Sequence, residues 1–138
     1  MRTLPFIVML AFIQPVWADN VSIVGTYSNM GYNDESGDVT GDEVQVLVSL
    51  GGYYVIYQCR DSEPKFLPAE VKGDEISFSL GSDSGNCRNE VRGVITKSGM
   101  CLWTPGMEKS GELLPRAESY WLKRNRSSQK IQECMAPK

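Results

Sequence analysis

From residue 43 onward the chain alternates between apolar and polar positions. In Glu43–Leu50 (EVQVLVSL), Val44, Val46, Val48 and Leu50 share one parity, and Gln45, Leu47 and Ser49 share the other. Glu75–Leu80 (EISFSL) sets Ile76, Phe78 and Leu80 on one face. A period of two marks a half-buried strand, because successive side chains leave opposite faces of a sheet. The same criterion predicts eight strands: Val21–Ser28, Glu43–Leu50, Tyr53–Arg60, Phe66–Lys72, Glu75–Leu80, Glu90–Lys97, Met100–Thr104 and Ser119–Arg124. No segment carries a sustained helical period, although Ser127–Met135 leaves room for a short helix.

The connections are of two kinds. Gly51-Gly52, Gly73-Asp74 and Ser98-Gly99 are tight hairpin signals. Asn29–Asp42, Asp61–Lys65, Gly81–Asn89 and Pro105–Glu118 are longer. Tight and long connections alternate, which places all tight turns at one end of an antiparallel meander and all long loops at the other. This predicts an all-β fold: an eight-stranded antiparallel up-and-down barrel over residues 19–126, followed by a C-terminal tail at 127–138. A two-sheet sandwich is compatible with the same strand count. In the third strand Tyr54, Ile56 and Gln58 share one face while Tyr53, Val55, Tyr57 and Cys59 share the other. Both faces are largely apolar, so the sequence leaves open which one points inward.

Ahead of the first strand, Met1–Ala18 (MRTLPFIVMLAFIQPVWA) has an early cation, a short apolar run and a small residue before Asp19. That is the pattern of a secretory signal peptide, and the run is shorter than the roughly 20 residues of a spanning helix. The expected location is secreted or periplasmic, without stable membrane insertion. The remaining 120 residues make one domain. The net charge of −3 argues against a nucleic-acid partner, which needs a basic face. Asn20 and Asn125 each open a glycosylation sequon, relevant only in a eukaryotic secretory pathway.

Cys59, Cys87, Cys101 and Cys134 form an even set, as expected for two disulfides in an exported domain. Cys59 and Cys87 fall at the long-loop end of the predicted barrel, and Cys101 and Cys134 at the tight-turn end. Pairing Cys59 with Cys87 and Cys101 with Cys134 keeps each bridge at one end, and a bridge needs Cα atoms within about 7 Å. The chain has no histidine and no C-x-x-C pair. This removes Ser-His-Asp and Cys-His hydrolases, histidine-ligated metals and a zinc site. No cofactor is expected, and the protein reads as a non-enzyme.

Gly25-Thr26-Tyr27 on the first strand, with Trp121, Lys123 and Arg124 on the last, resembles the calycins, the small barrels of lipocalin and avidin type. In lipocalins a G-x-W on the first strand packs near an arginine on the final strand; here Tyr27 stands in the tryptophan position. The resemblance implies a lipocalin-like barrel that binds a small apolar molecule, while some proteins of similar shape are protein inhibitors. Fold alone does not choose between these.

The long-loop rim is where such a barrel admits a ligand. Tyr54, Gln58, Arg60, Phe78, Arg92 and Trp103 are the candidate ligand-binding residues, with Gln58, Arg60, Arg88 and Arg92 able to hold a ligand carboxylate. Core packing for the aromatics and ordinary surface charge for the arginines are the plainer alternatives. Asp34, Glu35, Asp38, Asp42 and Glu43 offer oxygen ligands, but their spacing does not match a calcium loop, so a solvated loop is the favoured reading. Asp42 and Glu43, as strand neighbours, point to opposite faces, poor geometry for shared acid–base work. The expected function is to hold a small apolar or amphipathic ligand in the barrel mouth. The alternative is to bind or inhibit an extracytoplasmic protein through the long loops.

Overall fold

Register settles which face is inside. Val44 lies opposite Tyr57 and Val46 opposite Val55, and all four are at most 1% exposed. The regular valine parity of one strand therefore selects Val55, Tyr57 and Cys59 on its neighbour, leaving Tyr54, Ile56 and Gln58 outside. Each such apolar side chain contributes roughly 1.5–3 kcal/mol on burial.

The computed structural model describes residues 22–117 and 132–137. The predicted signal segment, the asparagines of both sequons and the predicted strand Ser119–Arg124 lie outside the described residues. The strands are β1 (Gly25–Ser28), β2 (Gly31–Tyr32), β3 (Val39–Thr40), β4 (Asp42–Ser49), β5 (Gly52–Cys59), β6 (Lys65–Lys72), β7 (Glu75–Ser79), β8 (Glu90–Thr96), β9 (Gly99–Trp103), β10 (Gly111–Pro115) and β11 (Gln132–Cys134). A single 3-10 turn, Gly81–Asp83, is the helical element among the described residues. The protein is all-β: among the described residues nine strands run antiparallel in the order β1-β4-β5-β6-β7-β8-β9-β10-β11 and curl strongly into a half-barrel. Strands β2 and β3 form a separate small hairpin within the first long loop.

The curl is visible in β6, which changes partner along its length. Residues 65–69 pair with β5, and residues 70–72 with β7. Pro68 sits in the first part, where, among the described residues, only one edge is paired; a proline, lacking an N–H, is tolerated at such an edge. The two sides of the sheet then approach each other. Tyr27 forms a bridge with Arg116, and the Ala117 N–H donates to the Thr26 carbonyl at 2.9 Å.

Besides the β2–β3 hairpin in the predicted loop Asn29–Asp42, two segments differ from the sequence expectation. The predicted loop Pro105–Glu118 contains β10, whose short GELLP run offers too little alternation to be read. The segment expected as a tail with room for a helix contributes β11, which pairs with β10.

Both disulfides form as paired in the sequence reading, with Cα separations of 5.8 Å for Cys59–Cys87 and 6.0 Å for Cys101–Cys134. The first closes the long-loop end. The second is not at the tight-turn end: it joins β9 to β11 across the intervening β10, where a Cβ on Gly111 would lie 2.9 Å from the Cys101 sulfur. This covers the outer side of β9, so Cys101 and Trp103 are buried on one face while Met100 and Leu102 fill the core on the other. Two disulfides indicate an oxidising, extracytoplasmic environment. Among the described residues no helix is long and apolar enough to cross a membrane.

Candidate functional site

At the long-loop end β4, β5 and β10 converge, and a cleft of about 460 Å³ opens between them and the 81–89 segment. Its floor is charged. Asp42 opens β4 and faces inward opposite Cys59. The strand start is fixed by a reciprocal pair: the Asn29 N–H donates to the Asp42 carbonyl at 3.1 Å, and the Asp42 N–H donates to Asn29 Oδ1 at 2.7 Å. Gly41 makes room for this approach, since a Cβ there would stand 2.5 Å from the Asn29 carbonyl oxygen.

Arg88 enters from the 81–89 segment, directly after the bridged Cys87. Its Nη1 donates to Asp42 Oδ2 at 2.6 Å, and its Nη2 lies 3.1 Å from Glu112 Oε2. The Tyr57 hydroxyl completes the set, donating to Asp42 Oδ1 at 3.3 Å. Burial pushes the Asp42 carboxyl up to about 6; Arg88 opposes the shift and Glu112 adds to it. Burial, then the charge of Asp42, also raises the Tyr57 phenol, which stays protonated as a donor. Burial works against the Arg88 charge, but Asp42 and Glu112 outweigh it and hold the guanidinium more firmly protonated. Asp38, Arg60 and Asp61 line the outer part of the cleft.

The six sequence-chosen residues do not form one site. Arg60 lines the cleft, in a left-handed backbone conformation at φ 50°. Gln58 is on the outer face, with its amide 3.4 Å from the Arg60 carbonyl. Tyr54 is also outside, stacked on Phe66 with centroids 5.2 Å apart. Phe78 is in the core against Tyr57. Phe78 and Arg92 border a second, shallower groove of about 530 Å³ over the split between β6 and β7. Trp103 is buried on the outer side of β9, opposite Arg92 in register. Arg88 does hold carboxylates, but they are the protein's own.

Glu112 was missed because β10 was not read as a strand. Asp42 was set aside because strand parity separates it from Glu43, and it does; its partners instead come from β5, β10 and a loop. Arg116 was also missed. Its Nη2 donates to the carbonyls of Ser22 at 2.5 Å and Val24 at 2.8 Å, and lies 3.2 Å from the Tyr27 hydroxyl. Trp121, Lys123 and Arg124, expected in that role, lie outside the described residues.

Asp34, Glu35 and Asp38 belong to the tip of the β2–β3 hairpin, where Asn33 Oδ1 accepts from the Glu35 N–H at 2.9 Å. Among the described residues no group of three or more cysteine, aspartate or glutamate side chains is placed to hold a metal ion. Neither family models, nor curated proteins, nor solved structures match this chain.

Proposed function

We propose that this is an exported, non-enzymatic binding protein that holds a small amphipathic ligand at the mouth of a lipocalin-like barrel. The observation that carries the reading is the long-loop cleft. It offers the buried carboxylate of Asp42 and the half-buried charges of Arg88 and Glu112 beside apolar surface from Val39, Tyr57 and the Cys59–Cys87 bridge. Such a mixture favours a ligand with a polar head and an apolar body over a purely apolar one. The lipocalin-like barrel is supported by the antiparallel order of eight strands (β1 and β4–β10) and by the β1–β10 bridge. The packing of Arg116 on Tyr27 has the form that the calycin resemblance implies, on a different arginine from the one expected.

A native mass spectrum of the protein purified from its own host tests this. A small-molecule mass lost on denaturation, and absent from a Thr40→Trp variant that fills the cleft, is the expected result. A bare chain in both samples counts against it.

A second reading, binding of an extracytoplasmic protein through the long loops, draws on Tyr32 and Met107. Tyr32 lies on the β2–β3 hairpin and Met107 on the connection between β9 and β10, and they are 42% and 58% exposed. A Tyr32→Ser, Met107→Ser double variant that loses a co-purifying protein but keeps the fold would favour it.

A further inference from the structure

A buried carboxylate, Asp42, and a half-buried one, Glu112 at 29% exposed, share one guanidinium in the cleft. The Asp42 side chain is 8% exposed and that of Arg88 21%. The groups facing Asp42 are Arg88 from the 81–89 segment, Glu112 from β10 and the Tyr57 hydroxyl from β5, with Asp38, Arg60 and Asp61 farther out along the same cleft. Glu43, next along β4, falls on the opposite face by register. The inner set therefore has two carboxylates for one cation, with the Asp42 carboxyl held away from water. A surplus negative charge of this kind is relieved either by binding a proton or by opening to water.

We propose that the cleft is a proton-operated clasp: neutralising the surplus carboxylate charge between Asp42 and Glu112 tightens the 81–89 segment onto β4 and β10, and ionising it loosens that segment. The sign follows from linkage. The closed arrangement binds the proton at Asp42 more tightly than an open, hydrated carboxylate would, so acid favours closure and neutral pH favours opening. The carboxyl, raised by burial to about 6, sets the pH range in which this happens. The Cys59–Cys87 bridge, one residue from Arg88, keeps the segment tethered to β5, so the loosening is local to residues 81–89 and not a release of the loop. The clasp deepens the reading of the cleft as a ligand site by supplying its regulation, but it is a property of the unliganded protein.

Amide hydrogen exchange on the oxidised, ligand-free protein tests it between pH 5 and 7.5, corrected for the intrinsic rate. The informative amides are Leu80, which donates to the Asn89 carbonyl, and Cys87, which donates to the Ser84 carbonyl. Their protection is expected to level off above about pH 6 and to rise toward acid below it, by about tenfold between pH 7.5 and pH 5. In Asp42→Asn the profile should be flat. A flat or falling profile in the wild type, or a step that persists in Asp42→Asn, overturns the clasp. If that variant does not fold, a carbon-13 titration of the wild-type Asp42 carboxyl decides: a midpoint near 6 supports the proposal and one near 4 overturns it. A bare native mass spectrum would remove the ligand reading and leave these results untouched.

Discussion

The guanidinium carbon of Arg116 lies 5.4 Å from the centroid of the Tyr27 ring. The same guanidinium binds the carbonyls of Ser22 and Val24, and a Cβ on Gly25 would come within 3.0 Å of its Nη2. One exposed side chain thus ties the segment before β1 to the end of β10. Arg116→Gln should cost about 1–2 kcal/mol, the scale of a few partly exposed charge-assisted contacts, read as a lower urea midpoint. Arg116→Lys should restore little, because an ammonium cannot span these acceptors as a planar fork does.

Asp42 gives stability a pH dependence of unusual sign for a carboxylate. Its carboxyl titrates near 6 in the folded chain against an ordinary value of 3.8. The contribution is full below pH 3.8 and is lost as pH rises through about 6. Between pH 4 and 7.5 the wild type should lose about 1–3 kcal/mol relative to Asp42→Asn, followed by urea denaturation of both. Glu112→Gln should move the Asp42 midpoint down by removing a neighbouring negative charge.

Gly41→Ala should disturb the site from behind. Gly41 has φ +88°, and its added Cβ would meet the Asn29 carbonyl oxygen at 2.5 Å and Oδ1 at 2.6 Å. Backbone must shift, and the reciprocal Asn29–Asp42 pair with it. A loss of about 2 kcal/mol is expected, with amide shift changes centred on Asn29 and Asp42 in the nuclear magnetic resonance spectrum.

Replacing Cys101 and Cys134 together by serine should release β11 from β10 and cost roughly 3–4 kcal/mol on the chain-entropy model. Exchange at residues 132–134 should become fast while β4 and β5 stay protected. Equal loss of protection across the sheet would show that the bridge supports the whole fold rather than one edge.

Much of the frame was legible in the sequence, and the reasons differ by element. Strands β4 and β7 carry clean alternation, and each tight turn carries its glycine. The disulfide pairing followed from topology even though the second bridge crosses β10 instead of sitting at the tight-turn end. What could not be read were relationships set at long range. Gly111–Pro115 has too few alternating positions, and its inward residues, Glu112 and Leu114, differ in polarity because Glu112 answers Arg88 from another loop. For Tyr54 and Gln58 the sequence left the face open because β5 is apolar on both sides; the register against β4 puts them on the outer one.

Strand β10 has two different neighbours on one edge: β11 along residues 111–113 and β1 at Arg116. Tyr27 and Arg116 are 89 residues apart. During synthesis β1 can pair with β4, and the strands through β9 can add hairpin by hairpin as they emerge, but the other edge of β1 waits for a partner 89 residues later in the chain. Completion of the sheet is therefore a late and non-local event, of the kind that places all-β domains in the millisecond-to-second range. Until then the outer edge of β1 stands open to any other extended chain nearby, and this interval is when the protein is most exposed to misassembly.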